Sequence, residues 1–131
     1  MASNLTAIAP EFLVEDVVRA AEYYRDKFGF EIGPYFEDPP VFVIVRRDNA
    51  RIMLSLVEHG RGGSNHKWKE AAIDAYLWVN DVDSLYTEFS AKGANVSGPP
   101  CLQFYGIREI EVRDLDGYVL TFGQPMQSAP R

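Results

Sequence analysis

Residues 107–124 carry the clearest pattern of hydrophobic and polar positions in the chain. From residue 107 to residue 113 the two kinds alternate with the period of two that is typical of a half-buried strand. Residues 114–117 interrupt this alternation and end in Asp-Gly, which favours a tight turn because glycine adopts positive φ without steric strain. Strand-forming residues resume from 118 to 122. The stretch therefore predicts a β-hairpin with a polar tip.

Residues 5–57 show the order strand, helix, strand, strand, strand. Pro10 lies inside the first predicted strand, residues 5–14, and places it at a sheet edge or a bulge because proline cannot donate to the ladder. Asp16 is the predicted N-cap of the helix, and Gly29 is predicted to end it. The apolar positions of this helix recur at helical spacing: Val17, Ala20, Ala21, Tyr24 and Phe28. The later segments are extended chain at 30–35, a turn at 37–40, and strands at 41–45 and 51–57.

The same order returns in residues 73–124, after a polar, glycine-rich linking loop at residues 58–72 that we interpret as mobile. The segment VEDV at 14–17 matches VNDV at 79–82, an offset of 65 residues. Asp81 is predicted to cap the second helix and Gly93 to end it. We therefore predict a single domain, residues 1–131, of the α+β class: two βαβββ modules that form a U-shaped, partly closed sheet around a cavity.

Composition and charge limit the possible partners. The chain has 131 residues, of which 47% are hydrophobic and 24% charged, as is usual for a globular domain. A net charge of -6 disfavours nucleic acid and mildly favours a cationic partner. Neither a membrane span nor a signal peptide is recognisable, so we expect no membrane partner. Cys101 is the only cysteine, so we expect a free structural thiol and a cytoplasmic location.

Three segments resemble a known superfamily: LTAIAPEFLVEDVVRAAEYYRDKFGF, YLWVNDVDSLYTEF, and SGPP followed by YGIREIEVRDLDGYVLTFGQ. They are similar to the vicinal-oxygen-chelate superfamily, which contains glyoxalase I, extradiol dioxygenases, fosfomycin-resistance enzymes and bleomycin-resistance proteins. Within it, the chain most resembles the bleomycin-resistance binding proteins. This resemblance implies binding of a small molecule, possession of the paired-module fold, and a role in antibiotic resistance.

The enzymes of this superfamily hold a divalent metal with four side chains, usually His and Glu. The matching positions in this sequence are Ala9, Ser55, Asp74 and Thr121. Methyl and hydroxyl groups are poor ligands for such ions, so we expect no metal cofactor and favour a protein without enzymatic activity.

Two alternatives remain open. A divalent metal could bind near Asp74 if the linking loop supplied His59 or His66, which would support a lyase, isomerase or dioxygenase; the other interpretation of these histidines is that water solvates them. A metal-free catalyst could instead use Asp74, Glu109 or Glu111 as a base.

The resemblance also implies a ligand site. The drug-contacting positions match Phe42, Ser55, Tyr76 and Tyr105, and Glu37 and Asp38 match acidic residues that face a cationic drug tail. Aromatic rings stack on planar ligands and attract cations, so a planar, cationic molecule such as a bleomycin-like antibiotic is the expected ligand. The aromatic residues also fit a core role and the acidic ones a plain turn.

Two further expectations concern the surroundings of this site. We predict that Trp78 faces the core between helix and sheet, on the opposite side from Tyr76. The resemblance implies a homodimer that exchanges its N-terminal strand, with Pro10 at the hinge and two equivalent ligand grooves at the interface.

Overall fold

A computed structural model describes residues 2–126, which form two α-helices and two separate mixed sheets. The first module contains β1 (Glu11–Val14), α1 (Val17–Phe28), β2 (Glu31–Ile32), β3 (Phe42–Arg47) and β4 (Ala50–Leu56). The second contains β5 (Ala75–Trp78), α2 (Val82–Ala91), β6 (Asn95–Val96), β7 (Cys101–Leu102), β8 (Ile107–Arg113) and β9 (Val119–Pro125). The predicted α+β class with two βαβββ modules is confirmed. The short strand β7, which pairs with β8, and a 3₁₀ helix at Asn65–Lys67 in the linking loop were not predicted.

The two sheets repeat one strand order. The first runs β1-β4-β3-β2 and the second β5-β9-β8-β6. In each sheet the strand before the helix pairs in parallel with the last strand of the module and lies at the edge. The sheets are hydrogen-bonded separately, and neither closes on itself.

Both modules bury one face of their sheet in a shared core. The predicted stripe of α1 is fully buried, and the ring of Phe28 contacts that of Phe89 on α2 with centroids 5.3 Å apart. The first sheet contributes Val43, Val45, Ile52 and Leu54, and the second contributes Ile110, Val112, Leu120 and Phe122. Because side chains alternate along a strand, the neighbouring residues of each strand lie on a second, open face that turns away from this core.

Helix ends follow the sequence signals. The carboxylate of Asp16 accepts from the N–H of Arg19, and that of Asp81 accepts from the N–H of Ser84. Gly29 and Gly93 both have a φ of 73°, the left-handed conformation in which glycine is favoured. Asp16, Gly29, Asp81 and Gly93 therefore act as predicted.

The first strand is shorter than predicted. Only Glu11–Val14 pairs with β4, and residues 2–9 belong to no helix or strand. Pro10 contributes its carbonyl, which accepts from the N–H of Met53 at 2.9 Å, but it has no N–H of its own with which to continue the ladder. The prediction of an edge strand is confirmed, whereas the prediction that it begins at residue 5 is wrong.

Candidate functional site

A carboxylate bound by two phenols lies on the open face of the second sheet. Tyr76 and Tyr105 both donate to Oε2 of Glu109, at 2.6 Å and 2.7 Å. Tyr76 lies on β5, Glu109 lies on β8, and Tyr105 belongs to the turn that leads into β8. Glu109 is half-buried. The structure thus brings together two of the predicted ligand-contacting residues around Glu109, for which the sequence suggested a role as a base in the metal-free catalyst.

A glycine makes this arrangement possible. Strand β9 lies between β5 and β8, so the side chain of Tyr76 must cross it to reach Glu109. Gly123 of β9 is paired with Glu109, and a Cβ atom at this glycine would lie 2.0 Å from the Tyr76 hydroxyl oxygen. Any larger residue would therefore displace the Tyr76 ring. A glycine inside a strand is a recognised sign of such a close approach.

Both phenols are held in their protonated form. Burial raises the pKa of Tyr76 well above its ordinary value, and the hydrogen bond to Glu109 adds to this effect. For Tyr105 the hydrogen bond to Glu109 is the larger cause, and it raises the pKa to about 12. Tyr76 and Tyr105 consequently remain hydrogen-bond donors across the neutral pH range.

Trp78 lies on the same open face as Tyr76. Its side chain is 64% exposed, and its ring centroid is 4.7 Å from that of Tyr76. The prediction that Trp78 faces the core is wrong, because residues two positions apart on a strand point to the same side. Ala75 and Leu77 are the residues of β5 that pack against the core.

Each of the two phenols that bind this carboxylate lies beside a second aromatic ring, and we call the four side chains the aromatic surface: Tyr76, Trp78, Phe104 and Tyr105. Phe104 is 99% exposed, and its ring centroid lies 5.0 Å from that of Tyr105. Exposed aromatic rings beside a polar group are typical of a binding surface rather than of a core.

The other predicted contact residues lie on the first sheet. Phe42 and Ser55 are paired neighbours on β3 and β4, and the Ser55 hydroxyl donates to Glu11 Oε2 at 2.5 Å. Glu37 and Asp38 are exposed in the turn before β3. Within a single chain, the six predicted residues therefore form two separate groups. Four belong to the open face of the first sheet or the turn before β3, and Tyr76 and Tyr105 belong to the open face of the second sheet or the turn before β8.

Asp74 has a role that the sequence did not reveal. One of its oxygens accepts from the Ser64 hydroxyl at 2.5 Å and from the N–H of Val119 at 2.8 Å, and the other accepts from the N–H of Asn65 at 2.7 Å. Asp74 thereby ties the linking loop to the start of β9. Because three donors occupy its carboxylate, Asp74 is poorly placed to bind a metal.

The remaining candidate metal ligands do not gather around Asp74. Ala9 precedes β1, and Thr121 is buried on β9. His59 contacts the carboxylate of Glu15, while the backbone N–H of His66 donates to the Ser64 hydroxyl. Within residues 2–126, no group of three or more His, Cys, Asp or Glu side chains could hold a metal ion.

A cavity of about 710 Å³ adjoins the aromatic surface at the free edge of β5. It also reaches the start of α2 and the turn between β3 and β4. Its lining includes Ile8, Pro10, Arg51, Tyr76, Trp78 and Leu85. Residues of the unpaired N-terminal segment and of the edge strand of the second module therefore line the same cavity.

The paired modules and their open faces are the architecture of a known class of small α+β proteins. Residues 6–122 match the model of the Glyoxalase/Bleomycin resistance protein/Dioxygenase superfamily, and the chain belongs to this superfamily. No curated protein matches the chain by sequence. No helix in residues 2–126 is long and apolar enough to cross a membrane.

Solved structures share the fold at low sequence identity. The bleomycin-binding protein of Streptomyces verticillus, solved with copper(II)-bleomycin, is 22% identical, with a TM-score of 0.72 over 95% of this chain and 100% of that one. TnmS3, an antibiotic binding protein from Streptomyces sp. CB03234, is 19% identical, with a TM-score of 0.72 over 96% and 100%. A glyoxalase-related enzyme from Clostridium phytofermentans is 14% identical, with a TM-score of 0.75 over 95% and 98%. Binding proteins and enzyme relatives thus have this fold in common.

Proposed function

We propose that the protein is a metal-free binding protein that sequesters a planar, cationic small molecule, such as a bleomycin-like antibiotic. The observation that carries this proposal is the exposed aromatic surface around the carboxylate of Glu109. Flat ligands stack on exposed rings, and a carboxylate among them favours a positive charge. The weak donor set at Ala9, Ser55, Asp74 and Thr121 favours binding over metal-dependent catalysis. Two of the structural relatives are themselves described as binding bleomycin or an antibiotic.

We further propose that the ligand groove is completed by a second copy of the chain. The first module carries four of the six predicted contact residues and the second carries two, and the two open faces turn away from a shared core. In a symmetric dimer, the first-sheet half of one copy would face the second-sheet half of the other, which gives two equivalent grooves. The exposed segment 2–8, which belongs to no helix or strand, and the free edge of β5 beside the cavity support exchange of the N-terminal strand, with Pro10 as the proposed hinge.

Calorimetric titration with bleomycin and with copper(II)-bleomycin tests the binding. We expect saturable binding of two molecules per dimer, weakened about tenfold or more by Trp78→Ala if the indole stacks on the ligand. Trp68→Ala is the matched control, because Trp68 is the other tryptophan, is 83% exposed and lies in the linking loop. Equal affinity of the Trp78→Ala variant and the unaltered protein would remove the aromatic surface from the site. Absence of binding by the unaltered protein would exclude both probes as ligands.

Sedimentation equilibrium tests the dimer. The full chain should sediment as a dimer, and a variant that lacks residues 2–9 should dissociate at concentrations where the full chain does not. Pro10→Ala should retain the dimer if the proline only shapes the hinge. A full chain that stays monomeric at all concentrations would contradict the interface groove.

A further inference from the structure

We propose that Glu109 selects the ligand by binding a cationic N–H group, such as an amidinium, guanidinium or protonated amine, attached to an aromatic ring. This inference rests on the proposed function and adds the group that recognises the charge. It also assigns the charge recognition to the second sheet rather than to Glu37 and Asp38.

The hydrogen bonds of Glu109 leave one oxygen available. Oε2 accepts from both Tyr76 and Tyr105, which fixes the orientation of the carboxylate. No group in residues 2–126 donates to the other oxygen, Oε1, and none of the ion pairs within this range includes Glu109. A half-buried carboxylate with a free oxygen is a strong acceptor for a charged donor, because a charge-assisted hydrogen bond is stronger than a neutral one.

Two carboxylates of helix α2, Glu88 and Asp83, already have cationic partners on neighbouring strands. Glu88 receives two hydrogen bonds from Arg47, at 2.8 Å and 2.9 Å, and one from Lys92 at 3.0 Å. Asp83 likewise receives two from Arg108. Glu109 has instead two neutral phenols, which hold it in place without neutralising its charge. The positive charge that would complement it must therefore come from outside this part of the chain.

The neighbouring rings determine what carries this charge. Trp78 lies beside Tyr76 and is largely exposed, so a flat ring that rests on the indole can direct its N–H group towards Glu109. The indole face also attracts the cation. Glu37 and Asp38 lie in an exposed turn, where water and salt screen their charges. They contribute less to selection than the half-buried Glu109.

A pair of matched probes tests this selection. 9-Aminoacridine is a planar N–H cation at pH 7.5, whereas acridine has the same three rings and is neutral at this pH. Fluorescence titration should show that the unaltered protein binds 9-aminoacridine at least about tenfold more tightly than acridine. Glu109→Gln should weaken 9-aminoacridine about 10- to 100-fold and change the affinity for acridine by less than about twofold.

Glu111→Gln is the control for net charge. Glu111 lies on the same strand and the same open face, two residues further along, so its replacement removes the same charge close to the same site. It should leave both affinities nearly unchanged. An equal loss of 9-aminoacridine binding in both variants would show a general charge effect and would overturn the selection by Glu109.

The failure of this inference can be told apart from the failure of the proposed function. If both acridines bind equally tightly and Trp78→Ala weakens both, the protein binds flat ligands but Glu109 does not select a cation. If neither acridine binds, the selection by Glu109 is contradicted, and the titration with bleomycin decides the proposed function separately. The comparison of the two probes on the unaltered protein decides the matter even if Glu109→Gln does not fold.

Discussion

The hydroxyl of Tyr24 donates to Oδ2 of Asp114 at 2.7 Å, and this buried contact joins helix α1 of the first module to the hairpin tip of the second. The other oxygen of Asp114 accepts from the backbone N–H groups of Asp116 and Tyr118. Burial raises the pKa of Asp114 to about 7, although these hydrogen bonds act in the opposite direction. A titrating group therefore lies at the junction between the two modules.

The raised pKa of Asp114 predicts a pH-dependent stability. The carboxyl group has a pKa of about 3.9 when unfolded, so between about pH 4 and pH 7 the folded state retains a proton that the unfolded state has released. The stabilisation of the folded state by this proton is fully present below about pH 4 and is lost as the pH rises through about 7. Asp114→Asn imitates the protonated form. It should therefore reduce the fall in unfolding free energy between acid and neutral pH by about 2–4 kcal/mol. Urea unfolding at pH 4.5, 6 and 7.5 measures the difference; parallel profiles for the two proteins would contradict the assignment.

Asp74 anchors the linking loop, so Asp74→Ala should loosen it. Loss of the acceptor leaves the Ser64 hydroxyl and two backbone N–H groups without their partner, which costs about 1–3 kcal/mol. Trypsin should then cleave the loop faster at Arg61 and Lys67. Glu70→Gln, an exposed change in the same loop, is the control.

Metal addition distinguishes this anchoring role from metal binding by Asp74. The three hydrogen bonds predict that Zn²⁺, Ni²⁺ or Mn²⁺ leaves the thermal midpoint of the unaltered protein within about 1 °C. A metal-dependent rise that disappears in Asp74→Ala would contradict the anchoring role and restore the metalloenzyme alternative. Metal content of untagged protein provides an independent measurement.

Local signals account for the parts of the fold that the sequence predicts well. The caps at Asp16 and Asp81 and the stripe of α1 depend only on residues within one or two turns, so they can be recognised without knowledge of the tertiary structure. Strand β7 has two residues and no alternation to detect. The start of β1 is not set by its partner strand, because β4 begins at Ala50, three positions before Met53, the residue that pairs with Glu11.

The site is less predictable because it depends on the register between strands. The resemblance locates Tyr76 and Tyr105, but their convergence on Glu109 requires β5, β9 and β8 to pair in one particular alignment. Gly123 was the available signal, since a glycine inside an apolar strand indicates a close approach by another group. The role of Asp74 depends on the path of the linking loop, for which no periodic pattern exists.

Gly123→Ala should displace the ring of Tyr76. The added methyl group would lie 2.0 Å from the Tyr76 hydroxyl oxygen and 2.9 Å from Cγ2 of Ile107, and the resulting strain should cost about 1–3 kcal/mol. Spectroscopic titration of the tyrosines should show the raised pKa of Tyr76 moving back towards its ordinary value. In a Tyr76→Ala background most of the cost should disappear, and strictly additive losses in this double-mutant cycle would contradict the crossing geometry.

The hydroxyl of Tyr118 takes the place of a neighbouring strand at the free edge of β1. It donates to the carbonyl of Leu13 at 2.7 Å and accepts from the N–H groups of Leu13 and Gly63 at 3.1 Å and 3.2 Å. Tyr118→Phe preserves the stacking of this ring on Phe12, whose centroid is 4.3 Å away, but leaves these backbone groups without a partner. We expect a loss of about 1–3 kcal/mol in unfolding free energy and faster hydrogen exchange at the Leu13 amide.

Tyr86→Phe is the matched control for Tyr118→Phe. Tyr86 is half-buried on α2, and no hydrogen bond joins its hydroxyl to another group in residues 2–126. Its replacement removes the same atom without leaving a buried backbone group unpaired, so stability should change by less than about 0.5 kcal/mol. Equal losses of unfolding free energy in the two variants would show that the Tyr118 hydroxyl contributes only as a polar group and not through its hydrogen bonds to Leu13 and Gly63. A loss confined to Tyr118→Phe, with exchange accelerated at Leu13, would identify it as the group that holds the linking loop against β1.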